Sequence, residues 1–239
     1  MLRKLPQAVL FDHDGVLVES EALHALGWQR LLSELGMTYV AADMRSLIGK
    51  TGPEILMSFL DRYRPGWKAG TGTNEYDIDA LAWRKNDFYL EAAKTGLKLY
   101  PGVREGLEWL RTRGIKTAVV SNAKRRELAG AHGFLGTTAL FDVLISRDEA
   151  GVAKPDPRPY LLAAEHVGVA PVDCLAVEDA PTGLMAALFA GIPAAAVLTT
   201  FPREALEAPV MGRPDLKPTW IGNSMVELFA SLRALNSPL

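Results

Sequence analysis

Five short runs of this chain are apolar almost without interruption: "AVLFD" (8–12), "KTAVVSN" (116–122), "FDVLISRD" (141–148), "CLAVED" (174–179) and "AAAVLTT" (194–200). Runs this short without polar alternation are the pattern of strands buried on both faces, as in a parallel sheet covered by helices. Helical patterns separate the later runs. They are "VREGLEWLRTRG" (103–114), "RPYLLAAEHVG" (158–168) and "PTGLMAALFAG" (181–191), each closed by a glycine. Strand alternates with helix, so the expected fold class is α/β, with a Rossmann-like parallel sheet as its core.

One interval breaks the rhythm. Between the first run and "YPGVREGL" (100–107) no comparable strand run occurs, and the segments read as helices. "SEALHALGWQRLLSELG" (20–36) places Leu23, Leu26, Leu31 and Leu35 near one face with Ser20 as N-cap, and "DIDALAWRKNDFYLEAAKTG" (77–96) is similarly helical. "RPGWKAGTGTNEYD" (64–77) reads as a flexible loop. The expectation is an inserted α-helical domain at 19–96, with the parallel-sheet domain formed by 1–18 and 97–239. No internal repeat or low-complexity tract is evident.

Composition narrows the partners. The 239 residues are 49% hydrophobic, enough for a full core, and the formal net charge of -2 provides no basic field for nucleic acid or a membrane surface. No run reaches transmembrane length, and the short apolar stretch after the first basic residues runs into Asp12, unlike a secretory signal. Cys174 is the single cysteine, so neither an intrachain disulfide nor a multi-cysteine metal site can form. A small core thiol in a cytoplasmic, monomeric protein whose partner is a small molecule is expected.

Open parallel sheets bind ligands beyond the carboxyl ends of their strands, so the residues ending the apolar runs should converge on one crevice. These are Asp12, His13 and Asp14 after the first strand, Ser121 and Asn122 after the second, Lys154 ahead of Pro155 in the loop after the third, and Glu178 and Asp179 after the fourth. Four acids cannot share a pocket ionised without a cation, and an all-oxygen donor set points to Mg²⁺. Magnesium commonly partners phosphate. Ser121 and Lys154 suit phosphoryl oxygens, and backbone amides around Asn122 can form an anion nest. An aspartate facing phosphorus can act as nucleophile, which fits Asp12, while Asp14 could protonate the leaving oxygen and then deprotonate the attacking water.

In this order and spacing, "DHDGVL", "SN", "KP" and "ED" resemble the four motifs of the haloacid dehalogenase-like hydrolases, and the resemblance covers essentially the whole chain. It implies Asp12 as nucleophile, Asp14 as acid/base, Ser121 and Lys154 on the transferring phosphoryl group, and a magnesium site completed by Asp179 with Glu178 beside it. The insert after the first motif occupies the place of the family's substrate-selecting helical cap. "DHDGVLVESEALH", "RKNDFYLEA" and "EDAPTGLMAALFAG" resemble the β-phosphoglucomutase-like and sugar-phosphatase branch. His24 falls at the position of a cap-hinge histidine, and Lys85 and Asn86 at positions that reach the substrate. His13 stands where the family commonly has an apolar residue.

The resemblance also marks a departure. "LIGKTGPEIL" (47–56) is similar to a mutase cap loop that supplies an arginine to a second phosphate, but Gly52 occupies that place, with Lys50 nearby as a candidate substitute. Asn122 is the more usual phosphatase residue. The expected activity is therefore hydrolysis of a small phosphorylated metabolite, with a β-phosphoglucomutase-type mutase as the alternative. A carbon-attacking dehalogenase would lack Asp14, and a non-catalytic binding protein would have lost part of the acid and lysine set.

Overall fold

A computed structural model describes residues 4–41, 47, 50–67, 76–208, 210–213 and 215–235. Residues 48–49 of the expected cap loop and 68–75 of the expected flexible loop lie outside them. The chain divides into two compact units, 1–19 with 98–239, and 20–97.

The first unit is built on six parallel strands in the order β3-β2-β1-β4-β5-β6. They are β1 (Ala8–Phe11), β2 (Lys116–Val120), β3 (Val143–Ile145), β4 (Cys174–Glu178), β5 (Ala194–Val197) and β6 (Trp220–Gly222). β1 is central. It pairs on one side with β2 and on the other with β4, so the chain reverses its winding direction at β1, the place where such sheets open a crevice. Phe11 is level with both Val119 and Val177, which brings Asp12 and Glu178 next in line on adjacent strands. β1 and β4 are buried at every residue, and Cys174 packs there as a small apolar residue.

Five strands therefore stand where continuous apolarity places them, although each is trimmed. The expected run at 141–148 keeps only three strand residues because Ser146 and Glu149 form a capping box. The Ser146 Oγ accepts from the Asp148 amide (3.1 Å), the Glu149 Oε2 accepts from the Ser146 amide (2.8 Å), and a short helix starts. β6 was not expected: it is a three-residue edge strand, too short to leave a pattern.

Among the described residues the first unit carries seven helices. The second unit contributes α1 (Glu21–Glu34), α2 (Gly52–Tyr63) and α3 (Ile78–Gly96), and the first unit follows with α4 (Val103–Thr112), α5 (Arg125–Leu135), α6 (Arg147–Ala150), α7 (Arg158–Val167), α8 (Pro181–Phe189), α9 (Arg203–Glu207) and α10 (Met225–Ala234). α4, α7 and α8 end one or two residues before the glycines expected to close them. One core cluster joins Leu10, Val120, Ile145, Tyr160, Ala176 and Ala196.

The second unit is helical and has its own core, with Trp28, Leu31, Leu32, Leu56, Phe59 and Leu60 at its centre. The buried stripe of α1 runs through Leu23, Gly27, Trp28, Leu31 and Leu32, leaving Leu26 47% exposed. Trp28 displaces the expected leucine face, because the large indole carries the stripe one position round the helix. Ser20 stands at the N-cap, but its side chain makes no capping bond; its carbonyl accepts from Leu23 and His24. Asp77 does cap α3 through the Ala80 amide (3.0 Å). The 47–56 segment is not wholly loop. Thr51 and Glu54 form a capping box, and Gly52 is the first residue of α2. No helix among the described residues is long and apolar enough to cross a membrane.

Candidate active site

Asp12 leaves β1 with its amide still bonded to the Val177 carbonyl (2.9 Å), and the chain then turns so that Leu17 and Val18 both donate to the His13 carbonyl. Gly15 makes this turn possible. Its φ is +76°, and a Cβ there would lie 1.9 Å from Asp179 Oδ2 and 2.7 Å from Thr200 Oγ1. Only a residue without a side chain lets the turn close this tightly on the end of β4. Thr199 fixes it by donating to the Gly15 carbonyl (2.5 Å).

Lys154 is the electrostatic centre. The loop lysine is 6% exposed, and its Nζ donates to Asp12 Oδ1 (2.8 Å) and Glu178 Oε1 (2.6 Å). Burial alone would depress its pKa, but the two carboxylates more than reverse this and hold the amine charged, above the ordinary lysine range. Asn122 places it: the Asn122 Oδ1 accepts from the Lys154 amide (2.8 Å), and the Asn122 Nδ2 donates to the Lys154 carbonyl (3.4 Å). The Asn122 carboxamide is thus engaged with the lysine's backbone. Ser121 is buried at the end of β2, its Oγ accepting from the Ala123 amide (3.0 Å).

Asp12, Glu178 and Asp179 bring carboxylate oxygens within 4.8 Å of one another. Asp14, the fourth acid expected at the metal, is half-buried and not a member of this group. Burial pushes the Glu178 carboxyl up and the Asp12 charge pushes it further, against the pull of Lys154 and Tyr160. Asp179 is raised in the same way, by burial first and then by Asp12 and Glu178. One lysine does not neutralise three acids, and Glu178 Oε2 is buried without a hydrogen-bond partner. A carboxylate set of this kind fits a hard divalent cation, so these residues could hold a metal ion.

Two neighbours of the cluster, Tyr160 and Gly183, lack a sequence signature. The Tyr160 hydroxyl donates to Glu178 Oε1 (2.5 Å), and its ring centroid lies 5.2 Å from Lys154 Nζ. Gly183, in the first turn of α8, brings its backbone against the same carboxylate, and a Cβ there would meet it at 2.1 Å. His13 is completely buried, with neither ring nitrogen hydrogen-bonded, and its ring lies 5.0 Å from that of His132. Burial, reinforced by His13 and opposed by Asp14, depresses the His132 pKa to about 3, while Thr137 Oγ1 pairs with its Nδ1 at 2.8 Å.

Within the helical unit, His24, Lys85 and Asn86 do come together. Lys85 is 5% exposed; its Nζ lies 2.7 Å from His24 Nδ1 and donates to Asn86 Oδ1 (3.4 Å). The amine also faces the rings of Trp28 and Tyr89, at 5.5 and 5.4 Å, and the His24 ring stacks on Tyr89 at 4.1 Å. Lys50 is exposed immediately before the Thr51 cap of α2.

The parallel sheet and the acid and lysine cluster at its switch point define a Rossmann-like α/β enzyme. The chain belongs to the haloacid dehalogenase-like hydrolases, whose family profile matches residues 6–191. It lies close to the β-phosphoglucomutase, CbbY and sugar-phosphatase subfamily. It is 31% identical over 215 residues to validoxylamine A 7'-phosphate phosphatase of Streptomyces hygroscopicus subsp. limoneus, covering 90% of this chain and 96% of that protein. It is 31% identical over 189 residues to the phosphorylated carbohydrates phosphatase of Thermotoga maritima, covering 78% of this chain and 82% of that one. In structure it is similar to CbbY from Rhodobacter sphaeroides in complex with phosphate, with a TM-score of 0.78, 25% identity, and coverage of 94% and 96%.

Proposed function

We propose that this chain is a Mg²⁺-dependent phosphatase that hydrolyses a small phosphorylated metabolite, a sugar phosphate, through an aspartyl-phosphate on Asp12. The chain is a phosphoric monoester hydrolase of the haloacid dehalogenase type. The carrying observation is the strand-end Asp12 bonded to the buried Lys154, inside a group of three carboxylates at the sheet's switch point. The named activities of the two phosphatase relatives support the substrate class.

Asp12, Glu178 and Asp179 would hold Mg²⁺, whose chemistry here is to offset negative charge on the phosphoryl group. Lys154 occupies Asp12 Oδ1, which leaves Oδ2 as the attacking atom. Oδ2 forms the new bond to phosphorus as the bond to the leaving oxygen breaks. Asp14 delivers a proton to that oxygen, then takes one from the water that displaces Asp12 and regenerates its carboxylate. Lys154 lends positive charge to the phosphoryl oxygens, and Asn122 keeps it in place through its backbone. Ser121 already accepts through Oγ, so its O–H is what it offers a phosphoryl oxygen. Residues 19–96 form the helical cap domain and 1–18 with 97–239 the catalytic core; within the cap domain Lys85, supported by His24 and Asn86, is assigned to substrate binding. Gly52 at the start of α2 provides no grip for a second phosphate, which favours water over a bisphosphate as the final acceptor.

The test is phosphate release from a panel of sugar phosphates with Mg²⁺, with excess chelator, and by Asp12→Asn. Release that needs Mg²⁺ and falls by several orders of magnitude in the correctly folded variant supports the reading. Full activity in chelator, or appreciable turnover by Asp12→Asn, overturns it.

A further inference from the structure

Glu178 is held on one side only. Its Oε1 accepts two hydrogen bonds, from Lys154 Nζ at 2.6 Å and from the Tyr160 hydroxyl at 2.5 Å, while Oε2, equally buried, has no partner. The Gly183 backbone closes the remaining space, since even a methyl group there would overlap the carboxylate. The end torsion of a glutamate is broad and roughly two-fold, so a single donor does little to stop the carboxylate turning and chelating the lysine with both oxygens. A second donor on the same oxygen, arriving from a different element, removes that freedom.

Tyr160 is suited to this task and to little else. It is the third residue of α7, completely buried in the sheet core, and its ring would pack equally well as phenylalanine. A buried hydroxyl without a partner is costly, and this one has Glu178. The ring face turned to Lys154 also steadies the amine that provides the other bond.

The geometry points to Tyr160 as a positioning residue: with Lys154 it ties down Glu178 Oε1 and so presents Oε2 as a fixed ligand atom for the divalent cation. This rests on the metal reading given above. The Tyr160 hydroxyl acts through Glu178, the residue to which it donates. Removing such an outer partner commonly weakens metal affinity by about 10–100-fold.

The test is calorimetric titration of the full chain with Mn²⁺, for wild type and Tyr160→Phe. The expected result is a Kd raised about 10-fold or more in the variant, with activity restored at saturating metal and only a modest fall in Tm in chelator from the lost buried hydrogen bond. In a Glu178→Gln background the same substitution should leave the Mn²⁺ Kd unchanged, because the residue it acts through has been altered. A Kd within two-fold of wild type, or an equal effect in both backgrounds, overturns the positioning role while leaving the metal site intact. A packing role alone would lower Tm in chelator without moving Kd, and it too overturns the proposal. Wild-type protein that binds no Mn²⁺ overturns the metal reading itself, and the role of Tyr160 falls with it.

Discussion

Replacing Lys154 with methionine isolates the electrostatic problem of this fold. Methionine keeps the volume and flexibility of the stem but removes the charge that reaches Asp12 at 2.8 Å and Glu178 at 2.6 Å. Lys154 and Glu178 are nearly inaccessible, with side-chain exposures of 4% and 1%, so water does not replace the lost partner. Breaking a buried ion pair by removing one member typically costs about 3–5 kcal/mol. The lower end applies because Glu178, already raised by burial, can take up a proton instead of remaining an isolated charge. For a chain of this size, about 3 kcal/mol corresponds to a fall in Tm of about 6–12 °C. The assay is thermal unfolding followed by circular dichroism at pH 7.5, in chelator and in millimolar Mg²⁺. Added Mg²⁺ should raise the Tm of Lys154→Met by more than it raises that of wild type, because the remaining cation then carries the whole task of neutralisation. A variant within 2 °C of wild type in chelator, with no larger response to Mg²⁺, would refute the claim that Lys154 balances the acids.

Gly183→Ala should push the Glu178 carboxylate aside, since the new methyl would lie 2.1 Å from it; a loss of at least ten-fold in kcat with normal expression is expected in steady-state assays. His132, with its pKa depressed to about 3 in the fold, takes up its proton more readily when unfolded, so stability should fall as pH drops below about 6.5, by up to about 1.4 kcal/mol per unit. Urea denaturation of His132→Gln between pH 7 and 4.5 should show a flatter pH profile than wild type, and equal slopes would exclude this histidine as the source. Gly52→Arg meets no clash at its Cβ, which would lie an ordinary 3.6 Å from Ala82 Cβ. Given β-glucose 1-phosphate with a trace of 1,6-bisphosphate, it should form more glucose 6-phosphate per phosphate released than wild type does; an unchanged ratio counts against the second-phosphate argument.

The strand ends were legible because a strand buried on both faces must be apolar until it leaves the sheet, and the first polar residue after it then marks the crevice. That logic reaches Asp12, Ser121, Glu178 and Asp179 directly. It reaches Lys154 only through its place in an ordered motif set, since a lysine before a proline otherwise reads as a solvated loop residue. Asn122 shows the limit of the method: whether its carboxamide faces a ligand or a neighbouring backbone depends on a loop 32 residues away. Tyr160 was hidden by its surroundings, because an aromatic on the apolar face of a helix has the same pattern whether or not its hydroxyl has a partner. β6 and α5 were missed for different reasons. The strand is three residues long, and α5, "RRELAGAHGFL", mixes glycines with charge so that no apolar period stands out. The shifted face of α1 came from counting leucines and overlooking Trp28, the largest apolar side chain of that helix.

The position of β1 between β2 and β4 has a consequence for how this chain acquires activity. The lysine that meets Asp12 lies 142 residues further along, and the Glu178 that shares it lies further still. Pairings of such sequence separation carry a large loop-closure cost and form late in folding. Until β4 has docked beside β1, Asp12 is an ordinary solvated carboxylate at the end of a short apolar segment. The reactive arrangement is thus a property of the completed sheet, and a nascent or partly unfolded chain presents its parts without their chemistry.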